Sequence, residues 1–193
     1  MTTVEFNLLC LIPLFPLLGA LFTGIVSIQA ARKGKQASRS LVNGVACLMP
    51  ALSFVVVCLA YFKLKSGDAP ALTQTLFTWM DVGNFQVSAA FLFDPLSCLY
   101  LGFVTFVGTL IHVYSIGYMA LDKGFARYMS YLNLFMFSMI VLVLGSSLPM
   151  MFVGWEGVGL CSYLLIGFWF SDVAKASAGK KAFIVNRIGD FGF

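Results

Sequence analysis

Charge is the scarcest property of this sequence. Asp, Glu, Lys and Arg make up only 10% of its 193 residues, and there is a single histidine. An ordinary soluble domain carries roughly 25% charged residues. A chain this poor in charge cannot cover its own surface with polar groups, which excludes a soluble globule. Disorder is excluded too, because it needs low hydrophobicity and high net charge. The five cysteines (Cys10, Cys47, Cys58, Cys98, Cys161) fall in apolar stretches without a C-x-x-C pair. That spacing indicates neither a disulfide framework nor a thiolate metal site; they read as small buried hydrophobes. With one histidine and no clustered ligands, no metal, haem or iron–sulfur cluster is expected on this chain.

What the sequence has in quantity is apolar: 60% of residues are hydrophobic and the mean hydropathy is +0.94. A bilayer core about 30 Å thick takes roughly 20 helical residues to cross. Apolar runs of that size, uncharged except for Glu156 in the last, cover residues 6–29, 41–62, 95–118, 128–145 and 148–170. A sixth begins near Lys181 and stops at Phe193, only about 20 Å of helix. The expectation is an all-α polytopic membrane protein with five full transmembrane helices and a sixth cut short, that is, a fragment. The first run is no signal peptide, since no basic residue precedes it and Pro13 and Pro16 interrupt it.

The net charge of +4 does not indicate nucleic-acid binding, which needs basic residues gathered with aromatic platforms. Here the basic residues sit in the gaps between apolar runs. Arg32, Lys33, Lys35 and Arg39 follow the first helix, Lys123 and Arg127 the third, and Lys175, Lys180 and Lys181 the fifth. The opposite side has only Lys63 and Lys65, with the acids Glu5, Asp68, Asp81 and Asp94. By the positive-inside rule the first set faces the cytoplasm and the N-terminus lies outside. The one long connection, residues 63–94, holds two apolar runs flanking Asp81-Val82-Gly83-Asn84, the pattern of a small outer β-hairpin. Asp94-Pro95 then reads as a helix cap followed by proline at the first helical position.

Three ionisable residues remain inside apolar spans: Glu156, Arg187 and Asp190. Insertion scales charge roughly 2.5–3.5 kcal/mol for an acid or arginine at mid-membrane, so each needs a partner or water. Glu156 lies about 4.5 Å from the expected midplane, and with entry near Lys180, Arg187 and Asp190 lie about 10 and 15 Å deep. Arg187 and Asp190, three residues apart, can pair on one helix face. The glycines of Gly154-Trp155-Glu156-Gly157-Val158-Gly159 permit a close helix neighbour or leave room for water beside the carboxylate. Acids and bases in series within a membrane are the material of proton relays. An ion pair that merely fixes the packing of the sixth helix remains an alternative. His112, toward the cytoplasmic end of the third helix, is either a proton-entry group or a hydrogen-bonded interfacial histidine. Gly157-Val158-Gly159 is no dinucleotide fingerprint, and Gly179-Lys180-Lys181 is no phosphate loop.

Residues 153–169 (VGWEGVGLCSYLLIGFW) and 181–193 (KAFIVNRIGDFGF), together with 93–97 (FDPLS) and 111–119 (IHVYSIGYM), resemble the antiporter-like subunit L family of NADH–quinone oxidoreductase (respiratory complex I). Its mitochondrial counterpart is called subunit 5. The resemblance implies a much longer protein with inverted five-helix repeats that form proton channels. Residues 1–70 would supply the first two helices, 71–127 the hairpin and third helix, and 128–193 the start of the channel core. It also implies that Glu156 is the family's key glutamate, tuning the proton affinity of a lysine on a broken seventh helix beyond Phe193. Arg187 and Asp190 match charged positions on the sixth. Proton translocation would be coupled to electron transfer elsewhere, in an energy-transducing membrane such as the bacterial cytoplasmic membrane. Flavin, iron–sulfur clusters and quinone would belong to partner membrane-complex subunits, with no redox chemistry on this chain. The large subunit of a multisubunit cation/proton antiporter and an inactive truncated scaffold are the competing readings.

Overall fold

A computed structural model describes residues 3–67, 70–83 and 85–192. Asp68, counted above among the outer acids, Asn84 of the expected turn, and Phe193 lie outside the described residues. The elements run β1 (Thr3–Glu5), α1 (Leu11–Arg32), α2 (Arg39–Ser66), β2 (Ala71–Val82), β3 (Phe85–Phe93), α3 (Pro95–Tyr118), α4 (Phe125–Leu144), α5 (Leu148–Ile166) and α6 (Val173–Asp190). Among the described residues, five helices, α1 to α5, are long and apolar enough to cross a membrane. The chain is an integral membrane protein of all-helical type with a small sheet at one end.

The helix ends follow local chemistry. At the start of α3, Asp94 Oδ1 accepts the Ser97 N–H at 2.7 Å, with Pro95 in the first turn. Such a cap supplies an acceptor to one of the four orphan N–H groups of a helix start. The α6 helix departs from expectation: it begins at Val173, eight residues before Lys181, on an Asp172 cap that accepts the Ala174 N–H at 3.0 Å. Lys175, Lys180 and Lys181 are therefore helical rather than part of a loop. The Ala-rich stretch that carries them has high helix propensity whatever its charge. Their long stems let the ammonium groups reach back toward the helix start and the aqueous end.

The expected hairpin is present, with β2 and β3 antiparallel from Leu72–Phe93 to Val82–Phe85. Gly83, in the turn, has φ +60°, a conformation that glycine adopts without a Cβ penalty. A third strand was not expected: β1 pairs in parallel with β2, Thr3 to Ala71 through Glu5 to Thr73. Gln74 reinforces this edge, its Oε1 accepting the Cys10 N–H at 2.7 Å and its Nε2 donating to Asn7 O at 3.0 Å. The sheet closes one end of the bundle. Leu72, Phe91 and Phe93 are buried with Leu9, Val57, Leu101, Ile140 and Leu144, and Ser146 N donates to Ala90 O at 3.1 Å.

Two arginines join the connections at the opposite end. Arg39 donates to Ala120 O and, at 3.2 Å, to Asp122 O. Arg127 donates to Phe168 O at 3.2 Å. The α1–α2, α3–α4 and α5–α6 connections thus share one end, and the sheet, β1 included, lies at the other.

Within the bundle α4 packs against α1, α3 and α5. Two buried polar contacts lock the proline-bearing helices. Pro16 has no N–H for Ile12 O, and Ser53 Oγ donates to that carbonyl at 2.8 Å. Pro50 likewise leaves Ala46 O free, and Asn133 Nδ2 donates to it at 3.3 Å.

Candidate functional site

Glu156 sits one residue from the centre of α5, whose middle is Gly157. Its neighbours serve two faces. On one, Gly154 and Gly157 let α5 approach α4: a Cβ on Gly154 would run into the backbone of Leu142, and one on Gly157 would lie 2.6 Å from Ser138 Oγ. Close approach of this kind is what small residues provide between membrane helices. On another, Gly159 has nothing near its Cβ direction and lines a cavity of about 700 Å³ between α4, α5 and α6. The close helix approach is realised at Gly154 and Gly157, while Gly159 faces a cavity whose lining does not include Glu156.

The carboxylate of Glu156 forms an ion pair with Arg187 of α6. Its side chain is 22% exposed and that of Arg187 56%, and the guanidinium also lies 5.5 Å from the Phe183 ring centre, one turn back. The Arg187–Asp190 pair allowed by their spacing is not the one formed. Asp190 instead accepts the Trp155 Nε1–H at 2.6 Å, again from α5 to α6. Neighbouring residues of α5 thus hold two groups of α6 one turn apart: Trp155 takes Asp190, and Glu156 takes Arg187. Because α6 starts at Val173, Arg187 stands about 21 Å from its first residue, not the 10 Å expected from entry near Lys180. Trp155 and Asp190 line the 700 Å³ cavity with Met139, Ser162 and Asn186.

His112 is buried within the bundle, 1% exposed. Its Nδ1 lies 2.7 Å from Gly108 O; since a carbonyl can only accept, Nδ1 carries the proton. Nε2 is buried and makes no hydrogen bond among the described residues. The ring lines a separate apolar cavity of about 210 Å³ between α3 and α4. Met139 of α4 lines both this cavity and the larger one. The structure brings Glu156, Arg187 and Asp190 together and leaves His112 apart from them. Sequence reasoning missed Trp155, whose position beside Glu156 was its one signal, and Met139, which no local pattern distinguishes. No group of three or more His, Cys, Asp or Glu able to hold a metal occurs among the described residues.

Two family models match this chain. One, described as NADH-ubiquinone oxidoreductase (complex I) chain 5 N-terminus, covers residues 79–129. The other, described as the transmembrane region of NADH:quinone oxidoreductase/Mrp antiporter, covers residues 145–193 and so takes in Glu156, Arg187 and Asp190. Together they match just over half of the sequence. The chain belongs to the antiporter-like family of complex I membrane subunits. Among curated relatives of this antiporter-like chain, NAD(P)H-quinone oxidoreductase subunit 5 of the Mesostigma viride chloroplast is 41% identical over 94% of the chain and 28% of its own length. NADH-quinone oxidoreductase subunit L of Escherichia coli is 40% identical over 95% of the chain and 29% of the relative. The Mycobacterium tuberculosis subunit L is 44% identical over 77% and 24%. The antiporter-like chain thus spans less than a third of the length of these relatives. Its fold is shared with a chain of the archaeal membrane-bound sulfane sulfur reductase, at a TM-score of 0.76, 14% identity, 96% of this chain and 35% of that one.

Proposed function

We propose that this chain acts as part of a membrane-arm subunit of a proton-translocating NADH:quinone oxidoreductase, with Glu156, Arg187 and Asp190 as a relay. The observation that carries the reading is the Glu156–Arg187 ion pair with Asp190 one helical turn away. Arg187 thereby has two carboxylates within its reach, one on each helix. A proton taken up by Glu156 cancels its charge and removes the attraction that holds Arg187. The guanidinium then turns to Asp190, displacing the Trp155 hydrogen bond. When Glu156 gives its proton onward, the first pair reforms. The site is thus a two-state element in which one proton selects the arginine's partner. The cavity beside Trp155 and Asp190 gives space for water to carry the proton. His112 fits an entry group, its unpaired Nε2 buried beside the cavity that shares Met139 with the first.

In this reading the basic end faces the cytoplasm, the N-terminus and sheet lie outside, and other membrane subunits are partners. Flavin, iron–sulfur and quinone chemistry reside on partner subunits. A second reading, the large subunit of a multisubunit cation/proton antiporter, is favoured by the second family model, whose description names both kinds of protein.

The test is Glu156→Gln in the assembled complex, reconstituted in vesicles. Gln keeps the shape of the side chain and removes its proton chemistry. Proton pumping per electron should fall on the order of tenfold or more while NADH oxidation continues. Pumping at the parental rate would eliminate the switch and leave the scaffold reading. Quinone-independent exchange of sodium for protons would favour the antiporter.

A further inference from the structure

At the basic end of the bundle a second polar cavity, about 450 Å³, opens between the end of α1 and the α1–α2 and α3–α4 connections. Lys35, Lys123 and Arg127 all line it. Three cations around one cavity repel each other unless an anion joins them. One acid stands close: Asp122, whose Oδ1 accepts the Gly124 N–H at 2.6 Å and whose Oδ2 accepts the Trp169 Nε1–H at 2.8 Å. It leaves two positive charges uncompensated and has both oxygens engaged.

Arg127 is fixed in advance. Its guanidinium lies 4.6 Å from the Phe168 ring centre and 5.1 Å from that of Phe170, and Nη2 donates to Phe168 O. Its Nε is buried without a hydrogen-bond partner among the described residues. An arginine held this way gives up little side-chain freedom when it takes an oxyanion. The cavity wall on the α1 side is made of small groups, Ala30, Ala31 and Gly34, the last at φ +61°. A bulky anion therefore fits beside the backbone.

The location selects the kind of anion. The cavity lies where membrane-spanning helices end, the level of lipid head groups. We propose that this cavity binds the phosphate head group of an anionic phospholipid through Lys35, Lys123 and Arg127. Such a lipid would join the α1–α2 and α3–α4 connections in the manner of Arg39.

The test uses the full chain in phosphatidylcholine nanodiscs with and without phosphatidylglycerol, and native mass spectrometry of the protein released from them. The parent chain should retain phosphatidylglycerol in preference to phosphatidylcholine. Lys35→Gln with Lys123→Gln should weaken retention roughly tenfold or more, as expected for two lysines near a lipid phosphate. Lys180→Gln with Lys181→Gln removes the same charge from the same end but outside the cavity, and should retain the lipid. Arg127→Lys keeps the charge, loses the planar fork, and should give an intermediate loss. Thermal unfolding in phosphatidylcholine alone should match the parent for both double variants; a fall confined to the Lys35 and Lys123 pair would transfer the test to Arg127→Lys. Equal loss from both double variants would reduce the effect to general charge and overturn the site. Displacement of the lipid by inorganic phosphate would assign the cavity to a soluble anion and overturn the lipid.

Discussion

Pro16 and Pro50 each remove one backbone donor from a membrane helix, and the cost depends on what replaces it. In hydrocarbon a bare carbonyl has no water to turn to. The two carbonyls four residues upstream are those that receive side-chain donors from a neighbouring helix, Ser53 to Ile12 and Asn133 to Ala46. The prolines therefore create polar sockets inside the bundle, and Ser53 and Asn133 fill them. Interhelical hydrogen bonds in membranes contribute about 0.6 kcal/mol on average and up to about 1.7. Ser53→Ala should lower stability by roughly 1 kcal/mol on that scale. In a Pro16→Ala background, where residue 16 regains an N–H for Ile12 O, the same change should cost less. Reversible unfolding in detergent micelles of the four chains in this cycle measures the difference. Strict additivity would mean that Ser53 does not answer the proline at all.

At the scale of elements, the start of α6 gives a second prediction. The Asp172 carboxyl is held below its ordinary value of 3.8, first by its hydrogen bond to Lys175 and then by the Ala174 N–H. A depressed carboxyl stabilises the fold above its unfolded value and loses that contribution as pH falls through the folded one. The first turn of α6 should therefore fray only in acid below pH 3.8, seen as faster amide exchange at Ala174. Asp172→Ala should fray at every pH. Equal protection in both chains across the acid range would show that packing, not the cap, holds this turn.

The same helix shows what was legible and what was not. Runs of about twenty apolar residues located α1 to α5 because crossing a bilayer imposes that length. The Asp94 cap and the Gly83 turn were legible because their chemistry is local. The start of α6 was not, because its first half is helical by propensity while its charges mark the aqueous edge. β1 was missed because three residues carry no period, and its pairing with β2 joins segments some 68 positions apart. Glu156, Arg187 and Asp190 stood out as charges in apolar spans. Their partners did not, because spacing along one helix cannot say how α5 and α6 rotate against each other, and that rotation gives Arg187 to Glu156 and Asp190 to Trp155.

For the whole molecule, the alternation of ends turns charge counting into a test. The arginine contacts place three connections at one end, and β1 pairing places the N-terminal strand with the β2–β3 hairpin at the other. Neither observation depends on where the lysines fall, so the backbone geometry and the lysine distribution reach the same arrangement by separate routes. Lys33, Lys35, Lys123 and their neighbours crowd one end, while Glu5, Asp81 and Asp94 gather at the other. In the proposed orientation, excess Lys and Arg in short loops puts the basic end on the cytoplasmic side. With the native cysteines replaced, Asp81→Cys should react with a membrane-impermeant maleimide added outside intact cells, and Lys35→Cys should react only after the membrane is opened. Because β1 is bonded to β2, a cysteine at Val4 must behave like the one at Asp81. Labelling of Lys35→Cys from outside would invert the molecule and bring the proton of the proposed relay in from the opposite face. Opposite behaviour at Val4 and Asp81 would break the parallel pairing, whichever way the bundle faces.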